Sequence, residues 1–264
     1  MTGKSIDRPT SAMFQASARR AVRDLRSICA VAIIVAGASV TWGQDNTTYP
    51  GLDPTVATRP AVQCELLEQD IPESLWNANL WPGGVVPYVF NANVTASNAA
   101  AMRNAMDELQ TAANITFVPR TNETNYLTIR DSTSNSSSVG RVGGSQTVNI
   151  YNWNYRYIME HELMHALGVW HEQQRSDRAN YVTINTGNIQ SGYAGNFNMN
   201  SATPVGTYDF ASVMHYDACS FSVCCPAGST CGCAVSCTTI QTLPTYASQQ
   251  SLMGQRSSLS AGDK

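Results

Sequence analysis

The sequence predicts an α+β domain, and three observations carry that prediction. Short apolar runs bounded by Gly, Pro and Asn accompany an Ala- and Met-rich segment of helical period. A second candidate helix carries histidines four residues apart. Beyond Tyr216 the periodicity dissolves into a loop dense in cysteine, so the C-terminal part is expected to be irregular.

The elements follow in chain order. Arg19, Arg20, Arg23 and Arg26 lead into the apolar run Ile28 to Trp42, which carries the small residues Gly37, Ala38 and Ser39 near its end. A basic front, a short apolar centre and a small-residue exit describe a secretory signal peptide over residues 1–43. At about 15 residues the run is shorter than the ~20 that span a bilayer. A membrane association is therefore expected only if this segment stays uncleaved. Residues 44–74 are punctuated by Tyr49-Pro50-Gly51, Asp53-Pro54 and Arg59-Pro60 and read as a weakly structured propeptide, which leaves residues 75–264 as the folded domain. Within it, Trp81-Pro82-Gly83-Gly84 makes a turn. Val85 to Phe90 is a strand whose Pro87 predicts an edge position, because proline cannot donate to a ladder. Thr95 to Ala113 is a helix with apolar residues at Ala99, Met102, Met106 and Leu109. Ile115 to Val118, Tyr126 to Ile129 and Gln146 to Tyr151 are strands, and Asp131 to Ser138 reads as a Ser/Asn loop.

Composition narrows the function. The 264 residues are 43% apolar, enough to bury a core, which excludes wholesale disorder. Lys and Arg number 16 against 19 Asp and Glu, so nothing supports a nucleic-acid partner held through phosphates. Sequons begin at Asn46, Asn93, Asn114, Asn122 and Asn135, and eight cysteines accompany them; both suit an extracellular protein.

The chemistry is concentrated in residues 161–171, His-Glu-Leu-Met-His-Ala-Leu-Gly-Val-Trp-His. His161 and His165 lie about 40° apart on one helix face, about 6 Å along the axis, so both imidazoles can reach one Zn²⁺. Glu162, rotated about 100° from His161, is placed to act on a water as general base rather than to bind beside it. His171 can join the same metal only if the helix stops and the chain folds back. Gly168 stands where that reversal is needed, free to take a positive φ. Three histidines leave one coordination position open, as a catalytic zinc site requires.

The pattern continues as Glu172-Gln173-Gln174-Arg175-Ser176-Asp177-Arg178, and Ser212-Val213-Met214-His215-Tyr216 follows at a distance. Together these segments resemble the Met-turn zinc proteases called metzincins, and among them the astacins, secreted or surface endopeptidases. Leu80 to Tyr88, Phe117 to Thr121, Val139 to Gln146, Tyr208-Asp209-Phe210, Gly254-Gln255-Arg256 and Leu259-Ser260 add to the resemblance, which covers residues 80–264. It implies a mixed sheet with two long helices, an active-site cleft and one zinc per chain. It further implies Tyr216 as a weak, displaceable zinc ligand that stabilises the oxyanion, Met214 as the apolar floor of the site, and Glu172 as a partner of the mature N-terminus. Taken without the family, Glu172 and Arg175 form an i, i+3 surface pair. His215 is expected to be packed or hydrogen-bonded, its ring opposite Tyr216 if the segment is extended.

The implied activity is hydrolysis of protein or peptide substrates, with the propeptide as the enzyme's own inhibitor. A serralysin- or adamalysin-like protease would share the histidines but not Glu172 to Arg178, and a silent binding module would be expected to lose Glu162 or a ligand.

The sequence also departs from the family. Three of the four positions that carry the two domain disulfides in astacins are here Asn114, Asn135 and Trp153, the last two being partners. Instead Cys219, Cys224, Cys225, Cys231, Cys233 and Cys237 crowd residues 219–237, with fifteen possible connectivities or a second metal cluster open to them. The family's short closing segment is missing after Lys264, so a truncated C-terminus is expected. The family's aspartate latency motif is missing too. Gly51-Leu52-Asp53 is its nearest equivalent, and Cys64, odd in the count once Cys29 leaves with the signal, is either the alternative zinc ligand for latency or the disulfide partner of one of the late cysteines.

Overall fold

The computed structural model describes residues 80–226 and 231–264. The segments read from the sequence as signal peptide and propeptide, with Asp53 and Cys64, lie outside them. Strands β1 (Val85–Phe90), β2 (Thr116–Pro119), β3 (Tyr126–Asp131), β4 (Ser136–Ser137) and β5 (Ser145–Ile150) form one mixed sheet in the order β2-β1-β3-β5-β4. All pairs are parallel except β4 on β5, which is antiparallel.

Helix α1 (Ala96–Ala112) forms where the apolar period predicts it. Thr95 caps it, its Oγ1 accepting from Asn98 N at 3.2 Å, and Ala99, Met102, Ala105, Met106 and Leu109 are its buried stripe. Helix α2 (Arg156–Leu167) is buried along nearly its whole length. The two helices and the sheet enclose a core of Met102, Leu127, Ile129, Val148, Trp153, Met159 and Leu163. Trp81 closes its start, donating Nε1 to Ala166 O at the end of α2 (2.8 Å).

Two expectations about the sheet are corrected. Pro87 lies on β1, an interior strand. Its register pairs it with Val118 of β2, while the ladder to β3 opens only at Tyr88. Tyr88 O accepts from Arg120 N on the β2 side, so alternation turns Pro87 the other way, where β3 pairing has not begun and no donor is needed. The stretch 131–138 is not all loop. It ends β3 and supplies β4, whose Ser136 and Ser137 pair with Asn149 and Val148 at the sheet edge.

The C-terminal half is irregular, built from short 3-10 turns and one antiparallel pair, β6 (Val182–Ile184) with β7 (Ile240–Thr242). It has its own core of Phe197, Tyr208, Phe210, Tyr216, Phe221, Ile240 and Met253. The cysteines beneath it pair as Cys219–Cys233, Cys224–Cys237 and Cys225–Cys231, which leaves no thiolate in the loop for a second metal. No helix among the described residues is long and apolar enough to cross a membrane.

Where the family pattern has a cysteine pair, hydrogen bonds stand instead. Asn135, buried, donates Nδ2 to Asn152 Oδ1 (2.8 Å) and accepts from Tyr151 N (2.7 Å) and Asn152 N (3.2 Å). Trp153 donates Nε1 to Asp131 Oδ1. Asn135 is 1% exposed, so its sequon is closed to a glycan in the fold, whereas Asn93, Asn114 and Asn122 are exposed. Asn135→Ala removes three buried hydrogen bonds next to β4 and should cost about 1–3 kcal/mol, read as a lower melting temperature; an unchanged transition would show that the bracket holds nothing.

Candidate metal centre

Helix α2 presents His161 and His165 on one face, and the reversal after it delivers His171. Gly168 takes φ 111°, ψ 10° and ends the helix. Its N–H bonds His165 O at 2.8 Å and Val169 N bonds Met164 O at 2.9 Å, the paired contacts of a Schellman stop. A Cβ on Gly168 would meet no atom closer than 3.6 Å, so the need for glycine is conformational rather than spatial.

The three imidazoles are buried and converge. His171 Nε2 lies 3.2 Å from both His165 Nε2 and His161 Nε2. His161 Nδ1 bonds Val213 O and His165 Nδ1 bonds Val169 O, each at 2.8 Å. A carbonyl can only accept, so both Nδ1 atoms carry the proton and both Nε2 atoms present a lone pair. Burial holds all three rings neutral: His165 is pushed down to about 4, and His161 and His171 lie well below the usual histidine value. Among the described residues, these three form the one group of His, Cys, Asp or Glu side chains close enough to share a metal ion.

The donor set fits zinc. Ligands at about 2.0–2.1 Å around a tetrahedral ion stand about 3.3 Å apart, close to the separation here. Lone pairs turned toward one another in a buried site repel unless a cation lies between them. Glu162 is fully buried on the same helix.

The Met-turn segment bridges the two cores. Met214 packs in the sheet-side core and Tyr216, two residues on, in the C-terminal core. Tyr216 meets the His171 ring at 4.4 Å between centroids, and its N–H donates to Gln173 Oε1. The segment is a turn, not extended: His215 N bonds Ser212 O at 3.0 Å. Its shape is set by Asp263, whose carboxylate accepts from Ser212 Oγ (2.6 Å) and Val213 N (2.9 Å). The opposition of rings that an extended segment would impose therefore does not apply. His215 is held between Tyr208 OH (2.7 Å) and Tyr216 O (2.6 Å), and burial pushes it down to about 4.

Glu172 and Arg175 do pair, at 3.2 Å, but on a 3-10 turn and largely out of solvent. Arg175 also binds Asp177 and the carbonyls of Val205 and Gly206, while Glu172 Oε1 accepts from Asp209 N at 2.8 Å. Burial raises the Glu172 carboxyl to about 7. Sequence reasoning missed Asp263, Gln173, Phe197 and Phe221 around the Met-turn. The Leu259-Ser260 resemblance ran close to Asp263 without revealing its partner fifty residues away.

A mixed sheet over a helix with two histidines, a third returned by a glycine-capped reversal and a buried methionine turn whose Val213 carbonyl holds His161 define the metzincin class of fold. The family model described as Astacin (Peptidase family M12A) matches residues 74–264. The chain belongs to the astacin family. It is 40% identical over 142 residues to high choriolytic enzyme 1 of Oryzias latipes, covering 53% of each chain. It is 37% identical over 190 residues to tolloid-like protein 2 of Mus musculus, covering 68% of this chain and 18% of that one. The match thus spans about half the length of the first relative and less than a fifth of the second. A solved structure of high choriolytic enzyme 1, a hatching enzyme zinc-protease from the same fish, superposes with a TM-score of 0.61 at 34% identity, covering 71% of this chain and 91% of that one.

Proposed function

We propose that this protein is a secreted zinc endopeptidase that hydrolyses peptide bonds in protein substrates. The observation that carries the reading is the convergence of three buried imidazoles, two from the helix that also bears Glu162 and the third, His171, from the reversal that follows it. His161, His165 and His171 would hold the ion, with Tyr216, whose ring lies beside His171, as a weaker, displaceable ligand. When bound, zinc supplies a Lewis acid for the scissile carbonyl and brings the pKa of a water near neutrality.

Glu162 takes the proton of the attacking water and passes it to the leaving amine. Tyr216 donates its hydroxyl to the oxyanion, and Met214 floors the histidines with apolar surface. The substrate pairs in extended form along β4, the strand at the sheet edge beside α2, through main-chain hydrogen bonds. The three disulfides and the exposed sequons support an oxidising, extracellular setting. Metal analysis and cleavage of a peptide library, with and without chelator, test the reading. It expects about one zinc per chain and cleavage that chelation abolishes and zinc restores. Zinc binding without cleavage would make the chain a binding module.

Glu162→Gln should keep zinc and lower kcat by about 10²–10⁴-fold, the usual cost of losing a general base; retained turnover would remove Glu162 from the mechanism. Tyr216→Phe should lower kcat by about 10²–10³-fold with KM and zinc content nearly unchanged. Loss of zinc in that variant would show a structural tyrosine instead.

Latency belongs to the segment ahead of the domain. The six loop cysteines pair among themselves, so none of them is left for Cys64, and its thiolate is the candidate zinc ligand of the precursor. Cys64→Ala should give a precursor active before processing, while Asp53→Ala stays latent. A latent Cys64 variant, or a disulfide-bonded Cys64 thiol in the precursor, would overturn this.

A further inference from the structure

The cysteine-dense loop departs from the family pattern, and the proposed chemistry makes no direct use of it. At its start stands Phe221, fully buried and the one non-glycine residue with positive φ (53°) among the described residues. There the Cβ of an L residue crowds its own backbone, so such a conformation persists only where the surroundings over-determine it.

The surroundings do so here. Cys219–Cys233 closes two residues before Phe221, and Cys224–Cys237 and Cys225–Cys231 close just after it. Gln190 N donates to Phe221 O and Gln190 Nε2 to Ser222 O, both at 2.8 Å. Thr239 Oγ1 donates to Ser220 O at 2.7 Å, and Ser222 bridges Ile189. A turn that needed only this backbone would accept glycine, yet a large ring is kept. What the ring touches accounts for it. Phe221 stacks on Tyr193 at 4.6 Å and 19°, and packs against Tyr216 at 5.7 Å. Phe197 meets both rings edge-on, at 5.8 Å from Tyr216 and 6.3 Å from Phe221.

We propose that Phe221, pinned in a left-handed conformation by the three-disulfide loop, is a positioning residue for Tyr216. Its ring is the wall that sets where the tyrosine stands beside His171, and the loop holds the wall. This rests on the reading of Tyr216 as oxyanion donor.

The test is a double-mutant cycle on the processed protein, with a fluorogenic peptide chosen from the library. Phe221→Leu should lower kcat by about 10- to 100-fold through misplacement of the phenol, with KM and zinc content unchanged. In the Tyr216→Phe background the same substitution should change kcat by less than about twofold, because the group it positions is gone. Val223→Ser, exposed in the same loop, should leave kcat unchanged. If Phe221→Leu does not fold by circular dichroism, Phe221→Met, unbranched and able to fill the same space, takes its place. Equal losses in both backgrounds, a loss of zinc, or a loss in the Val223 control overturns the positioning role alone. An ineffective Tyr216→Phe overturns the tyrosine reading beneath it.

Discussion

Three buried imidazoles converging on one point, with His171 Nε2 3.2 Å from the Nε2 atoms of both His161 and His165, set the terms for the rest of this structure. They are held there by protons committed elsewhere: the Nδ1 atoms of His161 and His165 are spent on the carbonyls of Val213 and Val169. Each carbonyl belongs to a chain reversal. Val169 follows the left-handed stop at Gly168, and Val213 lies in the turn closed by Asp263. The geometry at the metal centre is therefore a property of two turns as much as of the helix, and a relaxed turn at either place would rotate a ring away.

The same Met-turn joins the two cores. Met214 packs with the sheet and helices, while Tyr216 packs with Phe197, Phe221 and Tyr208. Because each core excludes water on its own side, the short segment between them has little freedom, and His215 is fixed between Tyr208 and Tyr216. Beside it, Glu172 ties the turn after His171 to Asp209, and Arg175 ties it to the carbonyls of Val205 and Gly206. His171, the last of the three converging histidines in sequence, is thus anchored by contacts that arrive later still.

The halves solve their stability problem differently. In the sheet half the Asn135 and Trp153 hydrogen bonds occupy the place of a family disulfide, next to the edge strand. The C-terminal half, with one short ladder and few regular hydrogen bonds, concentrates three disulfides within nineteen residues of chain. Such cross-links constrain the unfolded chain where regular structure contributes little.

What the sequence determined by itself was local. Helix α1, the histidine face of α2 and the stop at Gly168 follow from side-chain period and from the one residue that tolerates a positive φ at no cost, so they were legible before any tertiary contact was known. The family resemblance added the roles proposed for Tyr216 and Met214 because its motifs are long and specific. Tertiary structure decided the rest. Pro87 sits inside the sheet because β1 and β3 pair out of step, a register that no local pattern encodes. The stretch 131–138 becomes a strand only because β5 offers it an edge. The cysteine pairing, the reach of Asp263 to Val213 and the left-handed Phe221 depend on segments brought together across tens of residues. Proximity in space, not spacing in sequence, selects among the partners such groups might otherwise take.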